Sequence, residues 1–323
     1  MRKILLALMI LALGSSIIGC TQKKYDYDVY STVYPVQYVV ERIFESTELT
    51  VSLVPGVSSH NEAVDWSPKE IIGMSNATYL FYVGANFDTY IDNQIGQIFT
   101  NKKVELVKIE NNLVDFIPGI IHDHDEHEEE LIEPTAASAL GYDPHFWISP
   151  KRIITLTENI YPLLLDKYPE YDSIFSDNYD SLMADLIVLD QAFTNAISKA
   201  TSTVMTSTNL YSYLHEDYGL EFIPISPGYH EEADQFTSAQ KQQIVDEAIL
   251  HNITDIIFER DSSSPLSNAV LSALNNLGYN VVKLEYIVMD SLRHEDIEKQ
   301  ETYLSLMNQN LTVILKATNQ LGD

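Results

Sequence analysis
Cysteine is all but missing from this chain: Cys20 is the only one in 323 residues, which excludes an intramolecular disulfide. Basic residues are scarce as well. Lys and Arg number 19 against 47 Asp and Glu, the formal charge at pH 7 is −28, and no cluster of cations is available to neutralise phosphates. That balance argues against nucleic acid as a partner. The apolar stretch from Ile4 to Ile18 is too short to span a bilayer comfortably. No internal repeat is evident, and the His-Glu-x-x-His pattern of zinc hydrolases is absent. What remains is an acidic chain long enough for two lobes or one large domain. Its charge favours cations near the surface, although acidity also simply keeps a secreted protein soluble.

The N-terminus reads as a targeting segment. Arg2 and Lys3 precede the apolar stretch, which ends Ser16-Ile17-Ile18-Gly19-Cys20. Small and aliphatic residues directly before a cysteine resemble the lipobox of bacterial lipoproteins. The resemblance implies that residues 1–19 are a signal peptide, that Cys20 carries the lipid, and that residues 20–29 form a tether. A soluble domain would then sit outside the cytoplasm, anchored to the outer face of the cell membrane.

Beyond the tether, apolar runs of strand length alternate with helical patterns. Strands are expected at 28–34, 49–54, 78–83, 104–108, 203–206, 221–225, 255–258 and 280–284. Helices are expected between them, for example at 36–45, 68–74, 87–98, 150–167, 238–251 and 266–277. Such alternation predicts parallel sheets covered by helices. After Pro169, Leu182, Leu186, Leu189, Phe193 and Ile197 recur on one helical face, so a long helix is expected over 172–200. The fold class is therefore α/β: two lobes, 30–171 and 201–323, each a mainly parallel sheet flanked by helices, joined by one long rigid helix. A final helix is expected over 295–317, packed through Tyr303, Met307, Leu311 and Ile314.

Histidine carries the chemistry. His60 lies in Val54-Pro55-Gly56-Val57-Ser58-Ser59-His60-Asn61-Glu62, and His145 in Asp143-Pro144-His145-Phe146-Trp147-Ile148-Ser149-Pro150. His122, His124 and His127 alternate with acids in a run that continues to Glu133 and has no apolar periodicity. Neutral imidazole is the commonest metal ligand and suits borderline ions such as Zn²⁺. The run 122–133 cannot bury itself and is expected to be a solvated loop that captures metal loosely. His215, His251 and His294 fall in or beside helical patterns and read as surface or capping residues.

Several of these segments together resemble the zinc/manganese substrate-binding lipoproteins of bacterial ABC transporters. Pro55 to His60, followed by Trp66-Ser67-Pro68-Lys69-Glu70-Ile71, is similar to that family's first histidine segment, and Tyr82-Val83-Gly84-Ala85-Asn86-Phe87-Asp88 to the strand and turn that follow. The acidic histidine run stands where zinc-type members carry theirs. Asp143 to Pro150 resembles the second histidine segment and is the most specific match. Tyr168-Pro169-Glu170-Tyr171, Tyr211 to Leu220, Ile287 to Leu292 and Tyr303 to Leu311 continue the likeness over the rest of the chain.

The resemblance implies a receptor that binds one divalent cation between its lobes and delivers it to an ABC permease, as a monomer and not as an enzyme. It implies His60 and His145 as ligands from the first lobe and Asp290 from the second. Glu259, at the end of a strand, is a second acidic candidate, with a lobe-closing carboxylate or helix N-terminus partner as its other role. The family has His or Glu where this chain has Thr208, which reads instead as a helix N-cap. His230, water or a histidine of the acidic run is left to complete the site. Zn²⁺ is the expected cargo, with Mn²⁺ or Fe²⁺ left open. An adhesin or scaffold with an eroded site is one alternative. An exported metallohydrolase using Glu259 or Glu62 as base is another.

Overall fold
The computed structural model describes residues 25–56, 64–99, 103–110, 112–119, 141–229, 231 and 236–321. The first lobe runs β1 (Val29–Ser31), α1 (Tyr34–Phe44), β2 (Val51–Leu53), α2 (Pro68–Asn76), β3 (Tyr79–Tyr82), α3 (Thr89–Ile98), β4 (Glu105–Lys108) and α4 (Pro150–Lys167). The helix α5 (Asp172–Ile197) follows. The second lobe comprises β5 (Val204–Thr206), α6 (Ser212–Tyr218), β6 (Phe222–Pro224), α7 (Ser238–Leu250), β7 (Asp255–Glu259), α8 (Pro265–Asn276), β8 (Val282–Tyr286), α9 (His294–Glu298) and α10 (Tyr303–Ala317).

Each lobe holds one four-stranded sheet, ordered β2-β1-β3-β4 and β6-β5-β7-β8. Among the described residues, every pairing between these strands is parallel, with Val29 opposite both Val51 and Tyr79, and Met205 opposite both Ile223 and Ile256. The expected strands are all present, each starting or ending within a few residues of its predicted limit. Such sheets need helices on both faces, and the apolar residues divide accordingly. One buried cluster lies on the outer face of the first sheet, around Leu80, Tyr90 and Phe99. Another lies on the outer face of the second, around Ile244, Ile256 and Val270. A single continuous cluster fills the interior between them, from Val29 through Trp147 and Leu186 to Met307.

α5 is the seam of that interior. Leu182, Leu186, Leu189, Phe193 and Ile197 are all buried, and the helix packs against α1 and α4 of one lobe and α10 of the other. Hydrogen bonds stitch the lobes further. Trp147 Nε1 donates to the Val288 carbonyl at 2.8 Å, the Tyr303 hydroxyl to the Trp147 carbonyl at 2.9 Å, and Tyr34 N to the Asp290 carbonyl at 2.9 Å. Arg152 of α4 grips Asp217 of α6 with Nε at 2.8 Å and Nη2 at 2.7 Å, and Ser149 Oγ joins at 2.6 Å.

The C-terminal end differs from expectation. The expected helix over 295–317 is broken into α9 and α10, because Gln300 takes a positive φ of 55° and Thr302 begins a new helix with its own capping box to Ser305.

Candidate metal site
The carboxyl ends of parallel strands are where open α/β sheets place ligands, and the second sheet presents candidate residues there. β7 ends at Glu259, and β8 runs into a turn that delivers Asp290. The turn is tight: Met289, next to Asp290, has φ of 67°, a region that side chains other than glycine rarely enter. β5 leads to Thr208 and β6 to Tyr229. From the first lobe, His145 stands immediately before a turn of 3₁₀ helix at Phe146–Ile148. His145, Tyr229, Glu259 and Asp290 line one cleft of about 280 Å³.

His145 is 2% exposed and tightly held. Asp143 Oδ1 accepts from both the His145 backbone N and Nδ1, each at 2.9 Å. Nδ1 therefore carries the hydrogen in the tautomer that this contact assigns, and Nε2 carries the lone pair. Aromatic edges confine the ring: Trp147 at 5.4 Å between centroids, Tyr229 at 5.0 Å and Phe87 at 6.2 Å. Phe87 is placed by the turn after β3. Asp88 closes that turn, accepting from Thr32 Oγ1 and Val83 N at 2.6 Å and from Gly84 N at 2.9 Å. Gly84 has φ of 84°, a backbone conformation that L side chains rarely adopt, so a substitution there would be strained.

Glu259 is the buried acid of the cleft, 8% exposed. Burial pushes its carboxyl upward; the Thr208 hydroxyl, which donates to it, and the nearby His145 oppose that shift, while Glu231 and Asp290 add to it. Thr208 is thus not the N-cap expected from the sequence. Tyr211 holds that position in α6 without a side-chain bond, and the Thr208 hydroxyl is spent on Glu259. Asp290 is half-buried at the cleft wall.

The structure thus brings His145, Glu259 and Asp290 to one cleft. His60, His230, His122, His124, His127 and Cys20 lie outside the described residues. Among the described residues, no group of three or more His, Cys, Asp or Glu side chains is arranged to hold a metal ion by itself. Sequence reasoning passed over Tyr229 altogether. Its position in a Pro-Gly loop beside a candidate histidine was the one available signal.

Two further cations reach this cleft. Arg260 follows Glu259 and pairs with buried Asp296 at 2.6 Å, and Arg293 bonds the same carboxylate at 3.2 Å. The network ties the end of β7 to the start of α9 and so fixes Glu259 and Asp290 relative to each other. The two guanidiniums hold the Asp296 carboxyl below its usual range despite its burial.

Comparison with known proteins identifies the family and the fold. A family model described as zinc-uptake complex component A, periplasmic, matches residues 29–317. The zinc-binding lipoprotein AdcA of Streptococcus pneumoniae is 27% identical over 329 residues, covering 100% of this chain and 62% of that protein. The chain thus spans about three fifths of AdcA. The high-affinity zinc uptake system protein ZnuA of Bacillus subtilis is 25% identical over 319 residues, 95% of this chain and 93% of that protein. Among solved structures, the Zn(II)-bound ZnuA-like domain of S. pneumoniae AdcA superposes with a TM-score of 0.70 at 25% identity, covering 91% of this chain and 100% of that one. The chain belongs to the family of zinc-uptake complex component A.

Proposed function
We propose that this chain is an extracytoplasmic receptor that captures Zn²⁺ and hands it to an ABC permease. The observation that carries the reading is His145: buried, held by Asp143 in the tautomer that puts the lone pair on Nε2, and sharing a cleft with two carboxylates from the opposite lobe. Relatives named for zinc binding and zinc uptake support it. His145 and Asp290 are the proposed ligands, together with His60 of the segment that follows β2 in the sequence. Glu259 or His230 completes a four-donor shell. His122, His124 and His127 serve as an outer capture tract. Cleavage before Cys20 and lipidation of its thiol would anchor the receptor at the membrane surface, with residues 20–29 as tether. The Thr208–Glu259 pair favours a harder, oxygen-bound ion such as Mn²⁺ as a second reading.

Calorimetric titration of metal-free residues 21–323 with Zn²⁺, and separately with Mn²⁺, tests both. A single tight zinc event abolished by His60→Ala or His145→Ala is the expected result. Only weak binding that disappears with residues 122–133 would defeat the receptor reading.

A further inference from the structure
We propose that Tyr229 is a positioning residue for the cation, acting from the second lobe on His145 through Asp143; this rests on the zinc-receptor reading. Tyr229 sits on the segment after β6, which is fastened along its length. Ser226 N donates to the Ser207 carbonyl at 3.0 Å, and Asn209 N to the Gly228 carbonyl at 2.9 Å. Beyond Tyr229, the Glu231 carboxylate accepts from Leu266 N at 2.8 Å, from Ser267 N at 3.2 Å and from the Ser267 hydroxyl. These are first-turn groups of α8, where unpaired N–H donors and the helix dipole favour an anion. Tyr229 is therefore carried on an arm held on both sides.

The Tyr229 ring meets His145 edge-on, with centroids 5.0 Å apart and planes at 62°. Its hydroxyl faces the Asp143 carboxylate. Asp143 Oδ1 is committed to His145. Asp143 Oδ2 and Tyr229 Oη are both buried, and neither has a completed hydrogen bond. A donor and an acceptor, both withdrawn from water and facing each other across the lobes, form a bond after a small approach of the arm. That bond orients the carboxylate that in turn orients the ligating imidazole. Partners of this kind set metal affinity by about 10–100-fold.

Tyr229→Phe keeps the ring and removes only Oη. Zinc affinity and release would be measured on the full chain by competition with a chromophoric chelator. The expected result is binding weakened about ten-fold, carried by faster release, with the melting temperature of the metal-free protein unchanged. In an Asp143→Ala background, which removes the partner of Oη, the same substitution should add nothing, since the two act through one bond. Unchanged affinity and release in Tyr229→Phe overturn the proposal. So do effects of the two substitutions that multiply independently, or a loss of affinity matched by lost stability of the metal-free protein. Failure of the unsubstituted chain to bind zinc overturns the receptor reading and this one together, so the two failures are distinguishable.

Discussion

Asp88 shows how a residue outside the cleft shapes it. Its carboxylate accepts three hydrogen bonds, two from the backbone of the turn that places Phe87 against His145. Burial nevertheless dominates and pushes its pKa up to about 6 from an ordinary 3.8. The folded value lies above the unfolded one, so the fold holds the extra proton between these values. Stability from this group is full below about pH 4 and is lost as pH rises through about 6. The full span is worth about 3 kcal/mol. Burial also raises Glu41, Glu231 and Glu259, so a difference measurement is needed to isolate Asp88. Urea unfolding of metal-free Asp88→Asn and of the unsubstituted protein, from pH 4 to 7, should show a gap that changes across this window. A constant gap would contradict the assignment. At this scale, legibility followed sequence distance. Asp143 and His145 are two residues apart, and their bond is written in one motif. Thr208 and Glu259 are 51 apart, so the hydroxyl that donates to Glu259 read as a helix cap instead.

Elements were more legible than single contacts, because hydrophobic period survives without knowledge of partners. Parallel strands buried on both faces appear as short apolar runs, and the five-residue stripe of α5 announced itself by spacing. The break between α9 and α10 did not, since the pattern on either side is helical and only the positive φ of Gln300 and the Thr302–Ser305 box, a local competition for backbone donors, interrupt it. α5 also yields a quantitative expectation. Leu186 is fully buried in the cluster shared by the two lobes. Leu186→Ala should therefore cost about 2–5 kcal/mol and shift one common unfolding transition seen by probes in both lobes. Separate transitions would mean that the lobes fold independently. The Arg152–Asp217 contact makes a second test at the same scale. Asp217→Ala leaves a guanidinium that is 15% exposed without its carboxylate, and removing one partner of a buried pair costs about 3–5 kcal/mol. Arg152 retains the Asp115 carbonyl at 2.9 Å, which places the expected loss at the lower end. Guanidinium or urea denaturation reads it directly, and a change below about 1 kcal/mol would show that the pair behaves as an ordinary surface ion pair.

For the molecule as a whole, the decisive arrangement is that residues lining the cleft come from both lobes while the lobes share one interior. His145 approaches from the first lobe, and Glu259 and Asp290 from the second. The lobes are pinned by α5 and by bonds such as Trp147 to Val288. A cation held between them therefore adds a link to an interface already formed, and its binding energy appears as stability of the entire chain. Zinc at one hundred times its dissociation constant should stabilise the protein by about 2.7 kcal/mol. In a chain of this size that raises the melting temperature by several degrees, in a single transition and with no separate early melting of either lobe. The increment should vanish in His145→Ala. It should also fade on acidification, because imidazole ligates only as the neutral base. The metal-free protein gains from the Asp88 proton in acid, so the zinc increment and the Asp88 contribution move in opposite directions as pH falls. Scanning calorimetry with and without zinc, at matched pH values, reads both. A zinc increment that persists in His145→Ala would assign the stabilising ion to another part of the chain and remove the cleft from the binding reaction.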